Sequence, residues 1–251
     1  MSPASTRAIP LHATMLARVL ITLALGFPTL ARAQDNVRTR ADSLVRAGEL
    51  AAHASRPREA IAAYERAIAV DPSRRLPLLP SLGRQYLWSD RPRQAATLFG
   101  EYLALRPESC ETRLDLGLAQ SWANELDAAR ATYDSVAAHC LYERGQARLG
   151  AARAARWANH FTDAERRYRA VMADGSDADR EQAALGLAYV RLARAEPRAA
   201  LALADSLIAT GSPDASLVEA RVMALADLGA FGTAIGAVDA ARAAGRGSPS
   251  M

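Results

Sequence analysis

The sequence predicts an all-α protein, a solenoid of about six helix pairs. Half of its 251 residues are hydrophobic but only 6% are aromatic. Alanine, the strongest helix former with little strand preference, is abundant. One alanine recurs at intervals of 34 to 36 residues, and in four of its six copies an aromatic ring follows four places later. Residues four apart share a helix face, so every copy offers a similar packing surface. The recurring alanines are Ala60, Ala95, Ala129, Ala164, Ala200 and Ala234, followed in order by Tyr64, Phe99, Tyr133, Tyr168, Ala204 and Val238.

The first 33 residues are predicted to be a secretory signal peptide. Arg18 precedes an apolar run over residues 19–25, and Ala31-Arg32-Ala33 has the small-x-small pattern of a cleavage site. Cleavage after Ala33 would make Gln34 the mature N-terminus. The apolar run is short for a membrane span, although an uncleaved anchor is the alternative.

The charge balance argues against nucleic acid as a partner. The chain has 31 basic and 27 acidic residues, and three of the arginines but none of the acids precede Gln34. The mature chain therefore carries 28 basic against 27 acidic residues, so the net positive charge that would favour nucleic acid nearly vanishes. All the basic residues are arginines, which excludes a phosphate-loop lysine and a lysine Schiff base.

Residues 34–244 form the predicted solenoid, with two helices of about 13 residues in each copy and a short turn between them. Proline precedes the repeat alanine by three residues at Pro57, Pro92 and Pro197 and indicates that turn. Pro77 and Pro80 are expected to delay the first helix of the second copy. Residues 245–251 are expected to be a flexible tail. The predicted copies span about residues 41–75, 76–109, 110–144, 145–179, 180–214 and 215–244.

The segments "LGRQY" and "QAATLFGEYLALRP" resemble the pattern of the tetratricopeptide-repeat (TPR) family, and the resemblance covers about residues 41–244. It implies a right-handed α-solenoid that binds a protein or peptide partner in a concave groove, without catalysis. The later copies are degenerate. Leu141 stands where the family has proline, and Gly150 and Gly186 lie two residues earlier than the family's glycine.

Cys110 and Cys140 are predicted to form a disulfide. Each lies about 15 residues from the turn near Asn124 in an antiparallel helix pair, so at about 1.5 Å per residue both reach the same level. An exported chain meets oxidising conditions that favour the bond. The alternative is a metal or nucleophile site that includes His139.

No catalytic motif is present. The chain has no G-x-S-x-G, H-E-x-x-H, phosphate-loop or paired-cysteine metal pattern. The mature histidines, His53, His139 and His160, lie in three different copies. We therefore predict neither enzymatic activity nor a cofactor nor a metal ion.

The three tryptophans, Trp88, Trp122 and Trp157, all lie seven residues before the repeat alanine. At 100° per residue this position faces away from the pair's own core. The TPR resemblance places that face in the groove, where the tryptophans would stand with three arginines. The alternative is that each ring covers the turn beside it. The arginines of this predicted site are Arg84, Arg153 and Arg156.

The segments "YLWSDRPRQA", "SWANELDAA" and "RWANHFTDA" also resemble periplasmic TPR segments of outer-membrane exopolysaccharide-export proteins. This weaker resemblance implies an alternative function, a carbohydrate-binding component of an envelope polysaccharide system. A periplasmic or secreted location, with an envelope complex nearby, is expected in either case. The partner is thus a protein or peptide, or else a polysaccharide.

Overall fold

A computed structural model describes residue 32, residues 34–211 and residues 214–243. The predicted signal peptide and the C-terminal tail lie almost wholly outside the described residues. The chain divides into two compact units, Met1–Gln85 and Tyr86–Met251. Across the described residues every regular element is a helix. In that same part of the chain, no helix is both long and apolar enough to cross a membrane.

The first unit contains the first helix pair. Residues 34–53 are helical (α1), and α2 follows at Pro57–Val70. The ring of Tyr64 lies in the core at 3% exposure and faces Gly48, where a Cβ atom would come within 2.5 Å of the ring. The first helix pair therefore closes around a glycine.

The prediction that two prolines delay the next helix is wrong. After a 3-10 turn at Pro72–Arg74, α3 runs over Arg75–Trp88 with Pro80 inside it. Pro77 lies in the first turn of α3, where the backbone N–H groups have no partner within the helix, so it costs no hydrogen bond. Pro80 removes one bond, and the helix continues through it.

The second unit continues with a regular succession of helices. Consecutive helices contact one another, and the first helices of neighbouring pairs also touch, α5 with α7, α7 with α9 and α9 with α11. The repeat alanines from Ala95 on are buried, as are the rings of Phe99, Tyr133 and Tyr168. The helices are α4 (Pro92–Leu105), α5 (Cys110–Trp122), α6 (Leu126–His139), α7 (Arg144–Trp157), α8 (Phe161–Asp174), α9 (Asp177–Ala193), α10 (Pro197–Ala209), α11 (Ala215–Asp227) and α12 (Phe231–Ala243).

Every turn within a helix pair has a left-handed residue five places before the repeat alanine. Asn124 has φ 62°, and the N–H of Glu125 after it donates to the carbonyl of Gln120. This bond pattern ends a helix by satisfying its last carbonyl groups. The left-handed residues are Ser55, Asp90, Asn124, Asn159, Ala195 and Gly229.

Cys110 and Cys140 meet at the open end of the third pair. Cys110 begins α5 and Cys140 follows α6, with Cα atoms 5.8 Å apart and sulfur atoms 1.98 Å apart. The sulfur atoms are therefore bonded to each other. Glu143 lies close to them, whereas the Nδ1 atom of His139 lies 2.9 Å from the carbonyl oxygen of Ser135.

Candidate ligand-binding groove

An open cavity of about 480 Å³ lies along the first helices of the second unit. Its walls come from successive copies, because α5, α7 and α9 lie side by side. Leu114 and Leu149 contribute apolar surface, and Arg153 contributes a cation. The full lining is Leu114, Asp115, Leu118, Tyr133, Gln146, Leu149, Gly150, Arg153, Ala178, Asp179 and Gln182.

A second cavity of about 240 Å³ shares Leu149, Arg153 and Gln182 with the first. The two cavities are therefore neighbouring parts of one groove. The second adds the guanidinium of Arg156 and the half-buried ring of Tyr189. Its other lining residues are Tyr168, Leu185, Gly186, Asp214 and Ser216.

Arg153 and Arg156 form no ion pair with any residue that the structure describes. The Cζ atom of Arg156 lies 5.8 Å from the centre of the Trp157 ring and 5.3 Å from that of Tyr189. Such cation–π contacts orient a planar guanidinium without neutralising it. The Nε atom of Arg156 is buried and has no hydrogen-bond partner. Neither guanidinium is therefore held in an ion pair by these residues, although Asp115, Asp179 and Asp214 line the same two cavities.

Three tyrosines share the electrostatic field of these arginines. Burial raises the pKa of Tyr133, Tyr168 and Tyr189. The charge of Arg153 opposes that rise at Tyr133 and Tyr168, and the charge of Arg156 opposes it at Tyr168 and Tyr189. Each of these tyrosines therefore lies near at least one of the two arginines.

The acids of the groove are already engaged. Asp179 forms a capping box with Ser176 at the start of α9. The Ser176 hydroxyl donates a hydrogen bond to the Asp179 carboxylate at 2.7 Å. Asp214 accepts the backbone N–H of Ser216 at 2.8 Å and caps α11. Asp115 also has an interaction partner. The carboxylates of Asp179 and Asp214 thus cap the starts of α9 and α11.

The three tryptophans lie at the turns, each as the last residue of its helix. Trp88 is 61% exposed, Trp122 43% and Trp157 40%, so each ring is partly exposed to solvent. Trp88 and Trp122 pack edge to face, with centroids 5.5 Å apart and planes at 78°. Trp122 also faces the preceding turn, where it lines a small cavity with Asp90 and Arg91.

The predicted site is therefore only partly assembled in one place. Arg153 and Arg156 line the groove, and Trp157 adjoins it through Arg156. Trp88 and Trp122 form a separate ring pair beside a turn. Arg84 belongs to the other compact unit and has interactions of its own.

The leucines of the groove and Tyr189 were not predicted from the sequence as site residues. Their positions nevertheless recur at fixed distances from the repeat alanine. Leucine recurs 15 residues before the repeat alanine at Leu114, Leu149 and Leu185, and the groove residues Leu118, Arg153 and Tyr189 lie 11 residues before it.

Helix pairs that close around a glycine or alanine and an aromatic ring, and that line a groove with their first helices, define the TPR class of fold. A tetratricopeptide-repeat protein from Parabacteroides merdae is similar in structure, with a TM-score of 0.67 at 14% identity, over 84% of this chain and 81% of that one. PilW, a type IV pilus biogenesis factor, is similar with a TM-score of 0.64 at 18% identity, over 83% and 95%.

These likenesses show that the chain has a TPR-like helical fold. No protein-family model and no curated protein matches the chain by sequence.

Proposed function

We propose that the protein is an exported, non-enzymatic scaffold that holds a segment of a partner protein in the groove of α5, α7 and α9. The observation that carries this proposal is the composition of the groove, which combines leucines with arginine and tyrosine side chains. Apolar pockets with a few oriented polar groups are typical of ligand sites, and aromatic and arginine side chains dominate protein interfaces. The TPR-like fold is compatible with this role.

Export is supported by two features of the chain. The sequence before Gln34 has the architecture of a signal peptide. The Cys110–Cys140 disulfide suits an oxidising compartment, because such bonds are rare in the cytosol.

A peptide is preferred to the alternative carbohydrate ligand. Sugars stack on flat, exposed ring faces, whereas Trp88 and Trp122 meet edge to face at 78° and do not form one flat platform. The leucines of the groove suit the side chains of a peptide better than the hydroxyl groups of a sugar.

Selection from a random library of peptides of about ten residues, each at most about 35 Å long when extended, tests the proposal. Leu185→Gln removes apolar surface from the groove at a half-buried position. Leu105→Gln is the matched control, at the 62% exposed end of α4. Selected peptides should bind the wild type and the control with equal affinity and bind Leu185→Gln more weakly.

Two results would contradict the proposal: enrichment of no peptide, or equal losses in the two variants. Binding on a glycan array, in the absence of any peptide binding, would instead support the carbohydrate alternative.

A further inference from the structure

We propose that the exposed face of α12 binds a second copy of this chain, with the two α12 helices packed against each other around a two-fold axis. The central residues of this face are Phe231 and Ile235, each of which is 64% exposed. The contact uses other residues than the groove of α5, α7 and α9, so it goes beyond the proposed function and does not depend on it.

The repeat shows that this face of a second helix is normally covered. Phe231 and Ile235 lie three residues before and one residue after the repeat alanine of their copy. In the four preceding pairs of the second unit, both positions are buried or half-buried, and the second helix contacts the first helix of the next copy. Among the second helices that the structure describes, α12 alone exposes both. The covered positions are Pro92 and Ala96, Leu126 and Arg130, Phe161 and Glu165, and Pro197 and Leu201.

Helix α8 shows what kind of element covers these two positions. Phe161 packs against a core cluster that includes Leu187 of α9. Glu165 is 9% exposed, and its carboxylate accepts hydrogen bonds from Arg191 on α9 at 2.6 Å and from Arg194 just after α9 at 3.0 Å. A helix therefore packs on this face of α8, and a helix is the element that fits the same face of α12.

The sequence that follows α12 does not offer such a helix. Residues 244–251 read AGRGSPSM, with two glycines, one proline and Met251 as the one large apolar side chain. Glycine and proline are the weakest helix formers, so this sequence predicts no apolar helix comparable to α9. We therefore assign the covering helix to another molecule.

The face of α12 is complementary in shape to itself. Phe231 and Ile235 are four residues apart and form a ridge. Gly232 and Gly236 form the low row beside that ridge, where an added Cβ atom would meet nothing within 4 Å. Rows of residues four apart pack ridge into groove at a crossing angle of about −50°. A two-fold axis places the ridge of each copy in the glycine row of the other, which is how a surface pairs with its own copy.

Charge and size determine how strong this contact is. Asp239 and Arg242 are the only charged residues of α12, so the helix is neutral overall and like charges do not oppose the pairing. The helix has 13 residues and is about 20 Å long. A contact of this size lies below the roughly 1,200 Å² of stable complexes, so the dimer is weak.

Sedimentation velocity of the full chain with its disulfide intact measures the association. Protein concentrations from about 5 to about 500 µM cover the range in which a weak complex dissociates. Phe231→Glu and Ile235→Glu are the interface variants. Leu105→Glu is the matched control, because it introduces the same charge at a 62% exposed apolar side chain at the end of α4.

We expect the wild type and Leu105→Glu to dimerise with the same dissociation constant. Either interface variant should raise that constant at least about tenfold, because a two-fold contact brings two like charges together where water is excluded. Helicity measured by circular dichroism should not change, since both side chains are exposed. A mixture of Ile235→Glu and Ile235→Arg should associate again, because residue 235 lies near the axis and opposite charges then meet.

A wild type that stays monomeric over the whole concentration range would overturn the inference. So would a loss of association in Leu105→Glu equal to that in the interface variants. Failure of the Glu and Arg variants to associate when mixed, or growth into open-ended oligomers, would exclude the two-fold contact of α12 with α12. Binding of library peptides in the groove should be the same in Ile235→Glu as in the wild type, so the groove function and the dimer are tested separately.

Discussion

Gly150 on α7 lies against the ring of Tyr133 on α6, in the preceding helix pair. A Cβ atom on Gly150 would stand 2.7 Å from Cε1 of that ring, and one on Gly117 of α5 would stand equally close. The ring is therefore held between the first helices of two neighbouring copies. Gly186 meets Tyr168 in the same way, at 2.3 Å from Cζ. The glycines that lie two residues early thus serve the contact between copies.

Gly150→Ala should lower the melting temperature, because the added methyl group must displace a buried ring or a helix. Overpacking of this kind typically costs about 1–3 kcal/mol. Gly100→Ala is the control: it lies inside α4 with nothing within 4 Å of a Cβ atom. It should stabilise by about 0.5–1 kcal/mol, because alanine is the better helix former. Thermal unfolding followed by circular dichroism distinguishes the two, and equal shifts would show that the ring contact is not tight.

The sequence predicted the all-α fold, and it predicted that the repeat alanine and the aromatic ring four residues later pack in the core. Both predictions follow from helical periodicity within one copy. It misplaced the start of α3, because a proline in the first turn costs almost nothing. It could not assign Gly150 and Gly186, whose partners lie in the preceding copy. Ala152 occupies the family's glycine position in the fourth copy and is itself fully buried. Contacts between copies depend on how the pairs stack, which periodicity within one copy does not specify.

The leucines of the groove escaped prediction for the same reason. Leu114 and Leu185 are half-buried. From the sequence alone, neither can be distinguished from the apolar residues that pack inside a helix pair. Only when α5, α7 and α9 lie side by side do these positions line one surface. The disulfide was predictable because both cysteines belong to one helix pair.

Ala195→Gly should stabilise the protein by about 1 kcal/mol. Ala195 has φ 56°, and a left-handed conformation costs a residue with a Cβ atom about 1–2 kcal/mol, part of which the greater freedom of glycine in the unfolded chain offsets. The converse change, Gly229→Ala at φ 75°, should destabilise by a similar amount. Chemical denaturation of the two variants measures both effects. A loss of stability in Ala195→Gly would mean that contacts of its methyl group outweigh the backbone strain.

Cys110→Ser should lower the melting temperature about as much as reduction of the wild type does. The bridge closes a loop with a sequence separation of 30, which in the chain-entropy model stabilises by about 3.6 kcal/mol before any strain. The two effects should not add, since each removes the same bond. Reaction of folded, air-oxidised protein with a thiol reagent is the second measurement. Free thiols there would refute the bridge.

The mature protein should begin at Gln34. Arg18, the apolar run and the Ala31–Ala33 pattern predict cleavage at that bond. N-terminal sequencing of protein from the cell envelope checks the prediction. Ala33→Arg should slow processing, because the residue before the cut is normally small, whereas Gln34→Ala should leave it unchanged. An N-terminus upstream of Arg32 would contradict the signal peptide.

Trp157→Ala and Trp122→Ala should separate the two interpretations of the tryptophans. Trp157 orients Arg156 in the groove, so its loss should weaken binding of the peptides selected from the library by more than about 1 kcal/mol, with little change in melting temperature. Trp122 packs on Trp88 and on the preceding turn. Its loss should lower the melting temperature and leave binding nearly unchanged.

Arg156→Gln serves as the reference for that comparison. Because the ring acts through the guanidinium, adding Trp157→Ala to Arg156→Gln should weaken binding no further. Additive losses would mean that the Trp157 ring touches the peptide directly. A pure loss of stability in both tryptophan variants would mean that all three rings only cover the turns.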